Sequence, residues 1–133
     1  MDAEFPRART CYDHFAGAMA VRLTAAWERQ GWLRVQGARA YELTAAGEEF
    51  FRGWGLDLQR LRAQRRGFAL RCLDGTEQRT HLAGALGAAV CARLFERGWI
   101  VRRPGSRGVR VTAAGRLRLQ RLCERTGSQL RIG

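Results

Sequence analysis

Two clusters of cysteine, histidine and carboxylate residues are the groups of this sequence best suited to chemistry. One cluster holds Cys11, Asp13 and His14, and the other holds Cys72, Asp74, Glu77 and His81. Thiolate sulfur and imidazole nitrogen are the ligands that zinc and related ions prefer in proteins. The candidates for a single metal site, if the fold brings them together, are Cys11, His14, Cys72 and His81.

The same residues also have purely structural interpretations. Asp13 and Asp74 can serve as helix caps, and cysteines often fill small apolar spaces in a core. The matched histidines suit a repeated packing or hydrogen-bonding role, and their spacing is that of no known zinc finger. The sequence alone therefore predicts no metal ion or other cofactor, and a metal ion as effector is kept as an alternative.

Catalysis has little support in the sequence. It contains no Ser-His-Asp spacing, paired carboxylates, phosphate-binding glycine loop or metalloprotease helix. Cys11 and His14 lie close together in the chain, but no oxyanion donors accompany them. The protein is therefore predicted not to be an enzyme. A small-molecule or redox-sensing pocket beside the four tryptophans is an alternative, although tryptophans more often form the core: Trp27, Trp32, Trp54 and Trp99.

Charge is distributed unevenly along the chain. All 24 basic residues are arginine, against 12 acids, which gives a net charge of +12. The segment between Glu96 and Glu124 contains eight arginines and no acid. Such a positive field attracts polyanions, of which nucleic acid is the commonest, although an acidic partner protein would also fit.

An internal repeat organises the sequence. The stretch HFAGAMAVRLTAAWERQGWL begins at His14, and HLAGALGAAVCARLFERGWI begins at His81. Leu43-Thr-Ala-Ala-Gly47 matches Val111-Thr-Ala-Ala-Gly115 in the same way. We therefore expect one domain over residues 1–133, with repeats at about 10–55 and 77–123.

Each repeat is predicted to fold as helix, β-hairpin and helix. A Thr10–Asp13 capping box and a similar cap at Asp74–Glu77 would start the long helices. Hairpins follow at 32–43 (the first wing) and 99–111 (the second wing), and helices capped by Thr44 and Thr112 follow at 45–54 and 113–125. An amphipathic helix at about 57–73 would join the repeats.

The predicted fold class is therefore α+β and mostly helical, with tandem winged-helix-like units related by a pseudo-twofold axis. An apolar stripe repeats on the two long helices and would be buried against its counterpart. Its members are Phe15, Met19, Leu23 and Trp27 in the first copy, and Leu82, Leu86, Val90 and Leu94 in the second.

Two strings resemble the C-terminal half of some ArsR-type bacterial transcriptional regulators. They are Arg9-Thr-Cys-Tyr-Asp-His14, and Cys72-Leu-Asp74 with His81-Leu-Ala-Gly-Ala-Leu-Gly87. The resemblance runs from about Arg9 to Leu122 and implies a dimeric, DNA-binding repressor that an effector releases. In that family a winged helix precedes the first string, and it does not lie within these 133 residues.

The second wing is the segment best suited to contact double-stranded DNA. Its arginines have no acidic neighbour within the hairpin, so they can neutralise backbone phosphates: Arg102, Arg103, Arg107 and Arg110. The alternative function is a sensing or protein-interaction module that does not bind DNA. No signal peptide, membrane span or C-x-x-C pair is evident, so a cytoplasmic location with reduced thiols is expected.

Overall fold

Residues 5–124 are described by the computed structural model, and within them the chain forms five helices and eight strands. Two strands, a helix, two more strands and a helix follow one another in each half, with one short helix between the halves. The elements are β1 Arg9–Cys11, β2 His14–Ala16, α1 Ala18–Arg29, β3 Leu33–Gln36, β4 Ala40–Leu43, α2 Ala45–Gly53, α3 Leu58–Arg62, β5 Leu70–Leu73, β6 Thr80–Ala83, α4 Gly84–Glu96, β7 Ile100–Arg102, β8 Val109–Val111 and α5 Ala113–Glu124.

The prediction of a mostly helical fold built from helix–hairpin–helix units is wrong. The described residues are 42% helical and 24% strand, and the strands form three antiparallel sheets. The hairpins β1–β2 and β5–β6 stand where the sequence predicts helix starts. Thr10 lies in β1, where its amide donates to the Arg107 carbonyl at 2.9 Å, so it caps no helix.

Glycines mark the points where the strands give way to the long helices. Gly17 precedes α1 with φ +90°, and Gly84 begins α4 with φ +78°. A side chain at either position would also be crowded, since a Cβ would lie 2.9 Å from the Arg7 carbonyl oxygen and 2.7 Å from that of Gly67. Glycine is therefore required at both strand-to-helix transitions.

The predicted linker helix at 57–73 is also wrong. Helix α3 covers only Leu58–Arg62, and strand β5 begins at Leu70. The carbonyls of Gly67 and Phe68 accept hydrogen bonds from the first amides of α4, those of Ala85 and Leu86, at 2.9 and 2.7 Å. The first amides of a helix have no partner within the helix itself, and here they bind residues 67–68 and hold them in a non-helical conformation. The repeat boundaries at 10–55 and 77–123 stay a prediction, and they leave β5 outside the second unit.

Each wing pairs with the first hairpin of the other half. The first wing, β3–β4, joins β5–β6 in a four-stranded sheet through the pair Ala40 and Leu70. The second wing, β7–β8, lies beside β1, with a bridge between Arg9 and Gly108. The backbone hydrogen bonds between wing and hairpin are Tyr41 N to Ala69 O (3.0 Å), Arg71 N to Arg39 O (2.8 Å), Thr10 N to Arg107 O (2.9 Å) and Val109 N to Ala8 O (3.3 Å).

The repeated Thr-Ala-Ala-Gly segment starts α2 and α5, as its capping threonine predicts. Thr112 Oγ1 donates to the Gly98 carbonyl at 2.7 Å and accepts from the Gly115 amide at 3.0 Å. Thr44 makes the corresponding bonds to Gly31 and Gly47 at 2.6 and 3.1 Å. The threonine thus ties the end of the long helix to the start of the next one. The predicted end of the last helix, residue 125, lies outside the described residues.

The apolar stripe is buried in both halves. Its eight members are at most 5% exposed, although Phe15 and Leu82 lie on strands rather than helices. Helix α1 packs on β6 and α5, and α4 packs on β2, so each long helix covers a hairpin of the other half. The four tryptophans are at most 8% exposed, so they are part of the core. Trp27, Trp32 and Trp54 pack with Phe50 or Phe51, and Trp99 packs on Trp54. Within residues 5–124, no helix has the length and apolar character that crossing a bilayer requires.

Candidate functional site

The fold brings together the four residues that the sequence offers as metal ligands. One ligand atom each from Cys11, His14, Cys72 and His81 lies within 4.8 Å of all the others. The two histidine Nε2 atoms are 3.0 Å apart. Both imidazoles are buried, while both cysteines are half-buried. The four residues are called the Cys–His cluster below.

The two hairpins position the cluster in the same way. Cys11 lies directly opposite His14 in β1–β2, and Cys72 lies directly opposite His81 in β5–β6. Side chains of directly opposed residues in an antiparallel pair project from the same face, with Cβ atoms about 5 Å apart. Each hairpin therefore presents one thiol and one imidazole side by side.

Loop length hides this equivalence in the sequence. The histidines are 67 residues apart (81 − 14), whereas the cysteines are 61 apart (72 − 11), because the second hairpin has the longer turn. A gapless alignment that matches His14 with His81 therefore does not match the cysteines. The available signal was that a cysteine precedes the histidine in each copy.

Asp74 fixes the orientation of His81. Its side chain is fully buried, and its Oδ2 accepts hydrogen bonds from His81 Nδ1 at 2.9 Å and from the Gly17 amide at 2.7 Å. Its Oδ1 accepts from the Thr76 hydroxyl at 2.6 Å and the Thr76 amide at 2.9 Å, and it pairs with Arg9 at 3.3 Å. Burial alone would raise the pKa of this carboxyl, but these hydrogen bonds together hold it well below its usual range.

Asp13 occupies the corresponding place beside His14. Its Oδ1 lies 3.5 Å from His14 Nδ1, and its carboxylate forms a two-pronged ion pair with Arg66 at 2.6 and 3.3 Å. The hydrogen bond from Arg66 lowers the pKa of Asp13. His14 Nδ1 itself is buried and has no hydrogen-bond partner among residues 5–124. Each histidine thus has a carboxylate close to its Nδ1 atom, and each of these carboxylates forms an ion pair with an arginine.

Burial controls the protonation of the cluster. It lowers the pKa of both imidazoles, and the neighbouring His14 lowers that of His81 further. Burial and the nearby Cys11 raise the pKa of Cys72. Neutral imidazole rings and a protonated Cys72 thiol are therefore the favoured state near pH 7 in the ion-free protein.

The other two cysteines lie outside the cluster. Cys91 is buried on α4, and burial raises the pKa of its thiol to about 11. We expect iodoacetamide at pH 8 to alkylate Cys91 at least ~100-fold more slowly than a free cysteine, because so little thiolate is present. Mass spectrometry of timed samples, with the urea-unfolded chain as the control, measures this. Equal rates in the folded and unfolded chains would contradict it.

The second wing displays the four arginines that the sequence singles out. Arg102, Arg103, Arg107 and Arg110 are all exposed. Within the part of the chain that the structure describes, none of them has a carboxylate within 4.0 Å, whereas Arg34 of the first wing pairs with Glu42 at 3.4 Å. Arg102 also lies over the Phe95 ring at 4.7 Å. The wing is thus an unneutralised basic surface, and its contact with DNA stays a prediction.

Fold and site together define a protein of paired antiparallel hairpins and helices with a Cys–His cluster between its halves and a basic wing on its surface. The chain is 40% identical over 114 residues to the uncharacterized HTH-type transcriptional regulator YdfF of Bacillus subtilis (strain 168). The alignment covers 86% of this chain and 50% of that regulator, so the chain spans about half the length of its relative. No protein-family model matches the chain, and no solved structure matches it.

Proposed function

We propose that this chain acts within a DNA-binding transcriptional regulator of the ArsR type, as its C-terminal regulatory and dimerisation region. In this role it forms a homodimer in the cytoplasm and responds to an effector, and its second wing makes an auxiliary contact with the DNA backbone. Its action is binding rather than catalysis. Similarity to a named transcriptional regulator over 114 residues supports the class, and the resemblance of the Arg9–His14 and Cys72–Gly87 strings supports the type.

The main support for the DNA contact is that the arginines of the second wing are exposed and have no acidic residue beside them in the hairpin. A guanidinium group that neutralises a phosphate releases a condensed counterion, which favours binding at low salt. Gly105 and Gly108 at the tip of this hairpin leave room for the backbone to come close to the duplex. Contacts of this kind position a protein on DNA without conferring sequence preference.

Reversing charge on the second wing should weaken DNA retention. The double variant Arg103→Glu/Arg107→Glu is expected to bind a duplex at least ~10-fold more weakly at low salt, because two phosphate contacts are lost. Its plot of log affinity against log salt should be less steep by about 2. Gel-shift or fluorescence anisotropy titrations at several salt concentrations measure both quantities.

The matched control is the first-wing variant Arg34→Glu/Arg39→Glu, which makes the same change in net charge. It should retain more affinity than the second-wing variant, since Arg34 is already paired with Glu42. Equal losses in both variants would contradict a specific contact and would indicate only the general field of the protein.

The convergence of the Cys–His cluster favours a second candidate function, a sensing module that binds no DNA. In that case the wild-type chain would show no retention even at low salt, while binding of an effector would vary little with salt. The same salt series therefore distinguishes the two candidates.

A further inference from the structure

We propose that the Cys–His cluster binds one zinc ion, with Cys11, His14, Cys72 and His81 as its four ligands. This assignment stands independently of the proposed function. It depends on where the four ligand atoms lie, on the hydrogen bonds of the two imidazoles, and on the charged residues behind them.

The spacing of the ligand atoms suits a tetrahedral ion. Zinc binds cysteine sulfur at about 2.3 Å and histidine nitrogen at about 2.0–2.1 Å, so neighbouring ligand atoms in a tetrahedron lie about 3.3–3.8 Å apart. The two Nε2 atoms are 3.0 Å apart, and all four ligand atoms lie within 4.8 Å of one another. Small rotations of the side chains complete the geometry, without movement of the hairpins.

In either tautomer of His14, a buried ring nitrogen is left without a proton to share, and a cation between the rings would satisfy it. Because His81 Nδ1 donates to Asp74, the Nε2 atom of a neutral His81 ring carries an unshared electron pair. If neutral His14 donates from Nε2 to His81, its own Nδ1 faces the Asp13 carboxylate without a proton. If His14 instead carries its proton on Nδ1, two electron pairs face each other at 3.0 Å. An ion between the Nε2 atoms removes the conflict and lets both Nδ1 atoms donate to carboxylates.

The surrounding residues have the arrangement that metal-binding histidines require. A carboxylate that accepts from the outer ring nitrogen fixes the tautomer and makes the imidazole a better ligand. Asp74 does this for His81 at 2.9 Å, and Asp13 lies 3.5 Å from the equivalent atom of His14. Arg9 and Arg66 pair with these carboxylates and hold their positions.

The charge of the centre balances when the ion binds. Each thiol loses its proton to solvent and forms a bond to the ion, so Zn²⁺ with two thiolates and two neutral imidazoles carries no net charge. Two protons leave for each ion bound. With four protein ligands, the ion has no open position for substrate or water, which is typical of a structural or regulatory site.

Titration of the reduced, chelator-treated full chain with cobalt and then zinc tests the site. We expect one Co²⁺ per chain, the intense visible bands of tetrahedral cobalt and a thiolate-to-cobalt band in the near ultraviolet. Zinc should displace the cobalt, release about two protons per ion from the ion-free protein and raise its melting temperature. Mg²⁺ should produce none of these changes, because it prefers oxygen ligands.

Two ligand variants and one matched control locate the ion. Cys11→Ser and Cys72→Ser should each reduce the thiolate band, because each removes one sulfur ligand. Zinc binding should weaken at least ~10-fold, since loss of a group that only supports a ligand already costs about that much. Cys123→Ser, which alters a half-buried cysteine outside the cluster, should bind as the wild type does. Circular dichroism of each ion-free variant confirms that it is folded.

The wild-type chain alone can overturn the assignment, so the result does not depend on whether a variant folds. Weak octahedral cobalt bands, no thiolate band or no proton release would show that the thiols are not ligands. Loss of binding in Cys123→Ser equal to that in the two ligand variants would also overturn it. DNA retention plays no part in these measurements, so failure of the zinc site leaves the proposed function to be tested separately.

Discussion

Replacing Asp74 with alanine is expected to lower the free energy of unfolding by about 4 kcal/mol, a large fraction of the stability of a domain this size. The side chain is fully buried and accepts hydrogen bonds from the turn at Thr76, from the start of α1 at Gly17 and from His81. Alanine would leave the buried donors of Gly17 and His81 without this partner, and it would leave Arg9 without its carboxylate. Urea unfolding in the presence of chelator, monitored by the fluorescence of the buried tryptophans, measures the change.

Asp57→Ala is the matched control for this prediction. Asp57 is exposed and caps α3 through one hydrogen bond to the Arg60 amide at 3.1 Å, so its loss should cost about 1 kcal/mol. Asp74→Asn keeps the shape but loses the charge, and it should fall between the two. A cost for Asp74→Ala no greater than that for Asp57→Ala would show that the Asp74 hydrogen bonds contribute little.

Gly115→Ala is expected to destabilise the protein by about 3 kcal/mol, because overpacking against backbone leaves little room for relaxation. Gly115 lies in the first turn of α5, and a Cβ there would clash with the backbone of Trp99, most severely with its carbonyl oxygen. That backbone is held by the hydrogen bond from the Thr112 amide to the Trp99 carbonyl at 2.9 Å. The steric cost therefore falls on the junction between the second wing and the last helix. Thermal and urea unfolding measure it.

Gly53→Ala is the matched control, and it is expected to stabilise the protein rather than destabilise it. Gly53 ends α2, and a Cβ there would have no neighbouring atom within 4 Å. Alanine should stabilise the protein by about 0.5–1 kcal/mol, since it restricts the unfolded chain and favours helix. Similar effects of the two substitutions would contradict the close approach of α5 to Trp99.

The wings and the helices after them could be predicted from the sequence because their signals are local. Glycine and proline mark the turns, alternating residues mark the return strands, and Thr44 and Thr112 cap the helices that follow. The apolar stripe likewise identifies the buried face of each long helix. Such patterns need no knowledge of the rest of the chain.

The first hairpin of each half could not be predicted, because its stability comes from distant residues. Strands of three or four residues carry too few positions to show alternation, and Thr10–Asp13 fits the pattern of a capping box. In the fold, β1 pairs with the second wing and Asp74 binds the amide of Gly17, 57 residues away in the chain. Candidate ligands could thus be chosen by residue type, but their convergence depends on hairpins that only the tertiary structure reveals.

The placement of each wing on the hairpin of the opposite half makes the halves structurally dependent on one another. An isolated first half would have an unpaired edge at β4, where β5 now lies, and another at β1, where the second wing now lies. Exposed strand edges recruit other strands, and a second copy of the same segment would offer the required ones. Within the single chain, the two halves therefore exchange their wings in the way that the subunits of a domain-swapped dimer exchange an element.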